Sequence, residues 1–155
     1  MKQKWTNLLL WVVGTELVGA LSALLAGGNF SAYYQSLNQP PFAPPGWLFP
    51  VMWAILYALM GISAFLIFES QSLRRKSALF LYGAQLLANF LGSPVFFGLK
   101  SPAGAAAVVI VMLLLILAMM TAFFRIHRTA ACLNIPYLLW TVFATYLTIG
   151  VLILN

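Results

Sequence analysis

The chain has almost no charge. Asp, Glu, Lys and Arg make up 6% of its 155 residues, and only two of these, Glu16 and Glu69, are acidic. A water-soluble domain carries about a quarter charged residues, so this chain cannot cover its own surface in water; its solvent is lipid. A single cysteine, Cys132, excludes an intrachain disulfide. With a single histidine, His127, expected at the cytoplasmic end far from the long loop, neither a histidine-rich metal site nor a catalytic triad is available. No phosphate-binding glycine pattern is present, no internal repeat is visible, and the period-2 alternation of a membrane barrel is missing.

What is there is apolar. Hydrophobic residues make up 63% of the chain, and the mean hydropathy is +0.98. A helix needs about 20 apolar residues to cross a hydrocarbon core about 30 Å thick. Five stretches qualify: Leu8–Ala26, Trp47–Phe68, Ala78–Leu99, Ala103–Phe124 and Leu133–Leu154. Lipid cannot satisfy bare backbone groups, so each stretch is expected to be helical. The expectation is an all-α integral membrane bundle of five transmembrane helices, forming one domain over residues 1–155. The first stretch follows Lys2 and Lys4, as the core of a signal peptide would. It contains Glu16, however, and runs into "GGNFSAYYQSLNQ" without a small-x-small cleavage site, so it reads as a retained helix.

The cations sort by side. Lys2, Lys4, Arg74, Arg75, Lys76, Arg125 and Arg128 fall on one side of the bundle and only Lys100 on the other. By the positive-inside rule the N-terminus is expected in the cytoplasm, with the long first loop and the C-terminus outside. The net charge of +6 therefore reflects topology, and no nucleic-acid partner is implied.

The first loop, residues 27–46, is the longest, and it leads into "LNQPPFAPPGWLFPVMW", with five prolines and no charge. Long loops are either functional or disordered. Disorder requires low hydrophobicity and high charge, whereas this loop carries Phe30, Tyr33, Tyr34, Leu37 and Phe42. A short helix over Ala32–Leu37, capped by Ser31, is expected. Pro40, Pro41, Pro44 and Pro45 hold the rest extended, and Pro50 is tolerable only near the start of the second span. The loop reads as an ordered cap over the helix ends or as a lid on a pocket between them.

Polar groups in a spanning helix mark its interior face. Tyr82, Gln85 and Asn89 share one face of the third span, Trp53, Tyr57 and Gly61 one face of the second, and Tyr137, Trp140 and Ala144 one face of the fifth. Together they offer aromatics and amides to one cavity, with Tyr137 expected to sit too deep to line it. Trp5, Trp11 and Trp47 read as interfacial anchors; Trp53 and Trp140 fit either that role or the pocket wall. Glu16, at the centre of the first span, suits a bond to a neighbouring helix or a proton pathway. Gly19, Ala23 and Gly27 form a small-xxx-small stripe that favours helix contact. The fourth span, nearly free of polar atoms, is expected to face lipid or a second protomer.

The stretches "LNQPPFAPPGWLFPVMWAILYALMGISAFL", "NFLGSPVFFGL" and "PYLLWTVFATYLTIGVLILN" resemble the TspO/MBR family, the translocator or tryptophan-rich sensory proteins once called peripheral benzodiazepine receptors. The resemblance implies a five-helix bundle, often dimeric, whose first loop covers a pocket, here in a bacterial cytoplasmic membrane. It implies binding of porphyrins, of cholesterol in animals, and of synthetic isoquinoline carboxamide and benzodiazepine ligands. Some bacterial members are reported to break down protoporphyrin in light. By the same resemblance Trp53 and Trp140 correspond to the pocket tryptophans, Asn89 to a pocket asparagine and Tyr34 to a loop tyrosine. Gly92-Ser93-Pro94 departs from the family's Trp-Ser-Pro and opens one aromatic wall. Thr148 replaces an amide, and no basic residue follows Tyr146, which weakens a sterol role.

The expected function is a membrane receptor for protoporphyrin IX or another planar apolar molecule, with Tyr34, Trp53, Tyr57, Gln85, Asn89, Trp140 and Ala144 lining the site. The porphyrin is ligand or substrate, and no cofactor or metal is required. Trp53 and Trp140 are the candidates for photochemical electron exchange. A transporter using Glu16 as a proton relay and a regulatory protein docking through the fourth span are the alternatives; broken helices and repeats, common in transporters, are missing from the sequence.

Overall fold

The computed structural model describes residues 2–27 and 30–155; Met1 and, within the expected loop, Gly28 and Asn29 lie outside the described residues. The helices are α1 (Lys2–Leu25), α2 (Phe30–Ser36), α3 (Leu48–Phe68), α4 (Arg75–Ser93), α5 (Pro102–Phe124), α6 (Arg128–Cys132) and α7 (Ile135–Leu154). Among the described residues no strand occurs. Five helical segments are long and apolar enough to cross a membrane: α1, α3, α4 with the turn that follows it, α5, and α6 with α7. The chain is an all-α integral membrane protein.

Around the bundle, α1 packs between α3 and α4, and α5 between α4 and α7; α3 and α7 meet over only a short front. The core is Leu56, Met60, Ile67, Met112, Ile116, Met119, Phe123 and Tyr137. The fourth span (α5) does not simply face lipid. Ile110, Val111, Leu114 and Leu117 are exposed, but Met112, Ile116 and Met119 on its other side are fully or nearly buried, because a central helix needs no polar atoms to pack.

Local chemistry sets the ends. Ser101 caps α5, its Oγ accepting from the Gly104 N–H at 3.1 Å, and the lone histidine caps α6, its Nδ1 accepting from the Ala130 N–H at 3.3 Å; both satisfy donors that a helix start leaves bare. Pro136 sits in the first turn of α7, where its missing N–H leaves no gap. Ser31 is not a cap, as the sequence had suggested: the loop helix starts one residue earlier, at Phe30, and the Ser31 hydroxyl accepts from Gln35 Nε2 one turn on. Pro50 lies third in α3.

The third span ends differently from expectation. At Pro94 the helix widens into one π turn, Pro94–Gly98, closed by the Leu99 N–H on the Pro94 carbonyl at 2.9 Å. Proline has no N–H, so it cannot serve the carbonyl four residues before it, that of Phe90. The Ser22 hydroxyl of α1 donates to that carbonyl at 2.7 Å. Nearby, a Cβ on Gly98 would stand 3.3 Å from the Leu25 carbonyl oxygen. The loop-side half of α1 is therefore drawn onto α4. The other half lies on α3, where Gly61 lets the backbones meet: a Cβ there would stand 2.6 Å from the Val12 Cα. The expected stripe of Gly19, Ala23 and Gly27 does not form one contact surface. Gly19 takes the edge of the Tyr57 ring, Ala23 is exposed, and Gly27 lies beyond the helix at φ +87 with nothing near it.

Candidate functional site

The tilt of α1 leaves a space. A cavity of about 430 Å³ lies in the loop-side half of the bundle, walled by α1, α3, α4, α5 and α7 and roofed by the first loop, within the size range of small-molecule sites, about 300–1,000 Å³. Ala20 and Ala23 of α1 and Pro50 and Ala54 of α3 line it while remaining exposed, so the cavity opens sideways between these two helices, toward lipid. The opening has small residues on both sides.

The floor is polar and closed. The Tyr57 hydroxyl donates to Asn89 Oδ1 at 2.6 Å, Asn89 Nδ2 donates to the Tyr137 oxygen at 2.8 Å, and the Tyr137 hydroxyl donates to Gln85 Oε1 at 2.7 Å. Every hydroxyl proton in this chain of bonds has an acceptor, which fixes the Asn89 amide. An amide nitrogen carries two N–H donors, and one of those on Asn89, which lines the cavity, stays available to a guest. Tyr82 turns instead toward α1, where its hydroxyl meets Thr15 Oγ1 at 2.5 Å.

Of the expected site residues, Tyr34, Trp53, Tyr57, Asn89 and Ala144 line the cavity. Gln85 does not: it is wholly buried beneath Tyr137 and turns its Nε2 to the Met60 sulfur. Trp140 does not line it either. Phe49 stands between Tyr34 and Trp140, its ring 5.3 Å from one and 5.8 Å from the other, and Phe49 faces the cavity in place of Trp140. The Trp140 Nε1–H is buried without a partner among the described residues. Trp53 stacks on Tyr57 at 5.6 Å and 29°, giving one flat wall. Glu16 is only half-buried and is no part of the lining.

Sequence reasoning missed Phe30, Phe49, Phe96 and Phe97, which complete the aromatic wall. Phenylalanine carries no polar atom to mark an interior face in a lipid-soluble chain, so no pattern singled these out. The open wall expected at Gly92 is present: Gly92 lines the cavity, and a Cβ added there would meet nothing within 4 Å. Lys100 lies outside this cavity, over the Tyr33 ring at 5.7 Å, in a shallower depression that shares Val151 with it.

The roof is tied down at several points. The Tyr34 hydroxyl donates to the Pro44 carbonyl at 2.8 Å and Gln39 Nε2 to the Tyr34 carbonyl at 2.7 Å. Partial burial raises the pKa of the Tyr34 phenol, so it remains a donor at neutral pH. The Asn38 N–H donates to Asn155 Oδ1 at 2.9 Å, while Asn155 Nδ2 returns a bond to the Asn38 carbonyl at 3.0 Å.

Spanning helices around an aromatic-walled chamber open to lipid define a membrane protein that takes a hydrophobic small molecule. Comparison with known sequences gives the same class. The chain belongs to the TspO/MBR family, whose sequence model matches residues 11–154. It is 38% identical over 155 residues to the tryptophan-rich sensory protein of Cereibacter sphaeroides, covering all of this chain and 95% of that one. It is 34% identical to the tryptophan-rich protein TspO of Chlorobaculum tepidum (87% of this chain, 90% of the relative) and 31% identical to the translocator protein of Bos taurus (93% and 87%). The chain is thus an integral membrane protein of a receptor and translocator family for hydrophobic ligands.

Proposed function

We propose that the protein is a receptor for planar tetrapyrroles such as protoporphyrin IX, which enter the chamber from the bilayer. The observation that carries this reading is the sideways opening above a closed polar floor. The gap between α1 and α3 admits a lipid-dissolved disc without lifting the tied roof. The Tyr57–Asn89–Tyr137–Gln85 chain blocks passage to the other side of the bundle, which favours a receptor over a transporter. Stacking on the Trp53–Tyr57 wall contributes about 0.5–1.5 kcal/mol per aromatic pair beyond burial, and the free Asn89 N–H about 0.5–1.5 kcal/mol net. Lys100, at the loop end, is the cation nearest the acidic edge of such a guest. Its side is taken as the outer one by the excess of cations at the opposite end.

Where such a guest is broken down in light, Trp53 is the indole placed to exchange an electron with the excited pigment, and Trp140 is screened by Phe49. The test uses purified protein in lipid vesicles. Protoporphyrin is expected to quench tryptophan emission at saturable, stoichiometric levels, less so in Trp53→Phe, and illumination is expected to consume bound pigment more slowly in Trp53→Phe than in Trp140→Phe. No saturable quenching would refute the receptor; equal rates in the two variants would refute the assignment of Trp53.

A further inference from the structure

The uncharged, proline-rich part of the roof lies beside α7 rather than above it. Pro40 is buried against Gly150, where an added Cβ would stand 2.6 Å from the Pro40 Cβ. The Tyr146 hydroxyl donates to the Pro41 carbonyl at 2.8 Å. At about 1.5 Å rise per residue, Gly150 lies about 6 Å, and Tyr146 about 12 Å, short of the end of α7 at Leu154. On this side of α7, Tyr146, Ile149 and Ile153 are exposed, as lipid-facing residues are. The turn of Pro40–Ala43 therefore sits at the depth of the last apolar turns of a spanning helix.

At the tip of that turn is Phe42. The Ala43 N–H closes the turn on the Pro40 carbonyl at 3.3 Å, and Phe42 holds φ 65, a conformation that favours glycine. Phe42 is 90% exposed. In water, a bulky residue so exposed and in a strained conformation has little to set against the strain. Beside lipid it has more. No charge occurs from Leu37 to Trp53, and prolines 40, 41, 44 and 45 carry no N–H donor for lipid to leave unsatisfied.

We propose that Phe42 is a membrane anchor: its ring enters the bilayer interface on the loop side, beside α7, and together with exposed Trp47 holds the roof of the chamber at a fixed depth. The partner is the upper acyl and glycerol region of the lipid, recognised by apolar contact without headgroup chemistry. Lifting the roof then requires withdrawing an aromatic ring from lipid.

The test places an environment-sensitive fluorophore on Phe42→Cys in a Cys132→Ser background, in phosphatidylcholine vesicles, with Ser31→Cys on α2 as the reference position. A nitroxide on the lipid near the glycerol level is expected to quench the probe at 42 several-fold more than the probe at 31, and aqueous iodide is expected to show the reverse order. Phe42→Trp in vesicles of brominated lipid gives the same answer without a label: the emission gained over the unmodified protein is quenched. Iodide quenching at 42 equal to that at 31, or Phe42→Trp emission indifferent to bromolipid, would overturn the proposal.

Discussion

Replacing Asn89 by leucine should cost more than its own hydrogen bonds, and removing a second polar group should return part of the loss. In the unmodified protein the Tyr57 hydroxyl, on a side chain only 7% exposed, donates to Asn89 Oδ1. Asn89→Leu leaves that donor buried without an acceptor, a penalty of about 1–3 kcal/mol. Tyr137 is spared, because its own proton goes to Gln85. Tyr57→Phe removes the donor and leaves only an acceptor lone pair at the cavity wall, a loss of about 0.5–1.5 kcal/mol. In the double variant the orphan donor no longer exists, so it should be more stable than Asn89→Leu alone. The coupling energy is expected at about 0.6–2 kcal/mol, the lower end being the average for bonds between membrane helices and the upper part the penalty of the orphaned donor. The assay is reversible unfolding by sodium dodecyl sulfate in mixed micelles, without ligand, for all four forms of the cycle. Losses that add within about 0.5 kcal/mol would show that these groups do not act as one network and would refute the closed floor.

Two further outcomes follow from the wall and from the tilt of α1. Ser22→Ala should cost about 1 kcal/mol in the same titration, because the Phe90 carbonyl, which Pro94 cannot serve, loses the Ser22 donor, and Ser22→Thr should retain most of the stability; an unchanged midpoint for Ser22→Ala would show that the serine does not hold α1 to α4. Gly92→Trp should fold normally, since a side chain there meets open space, but should weaken protoporphyrin binding by filling the chamber. Unchanged affinity would place the ligand elsewhere.

The spans were legible because lipid imposes one rule on every backbone group, and that rule reads directly as apolar length. The third span was the exception: the stretch Ala78–Leu99 shows no break in hydropathy, yet Pro94 turns its end into a wide turn, and the freed carbonyl matters only once Ser22 is beside it. The site was half legible. Tyr57 and Asn89 were marked by polar atoms in apolar runs, and Gln85 carried the same mark but serves the floor from beneath. Trp140 shared its face with Ala144, yet its place at the wall is taken by Phe49, and which of two aromatics stands in front is a matter of helix separation that no periodicity encodes. The side opening was invisible in the sequence, because it arises from where two helices part.

The bond between Ser22 and the Phe90 carbonyl also bears on how the molecule assembles. Two of the polar partners of α1, Tyr82 and the Phe90 carbonyl, lie on α4, two spans further along the chain. Before α4 is made, α1 rests on α3 through the close backbone approach at Gly61 and the bond from Asn7 to Glu69. The loop-side half of α1 is thus seated only once α4 is in place, and it borders the opening through which a guest would pass. A chain halted before α4 would display that segment loosely held in lipid, a natural point for quality-control proteases to sample.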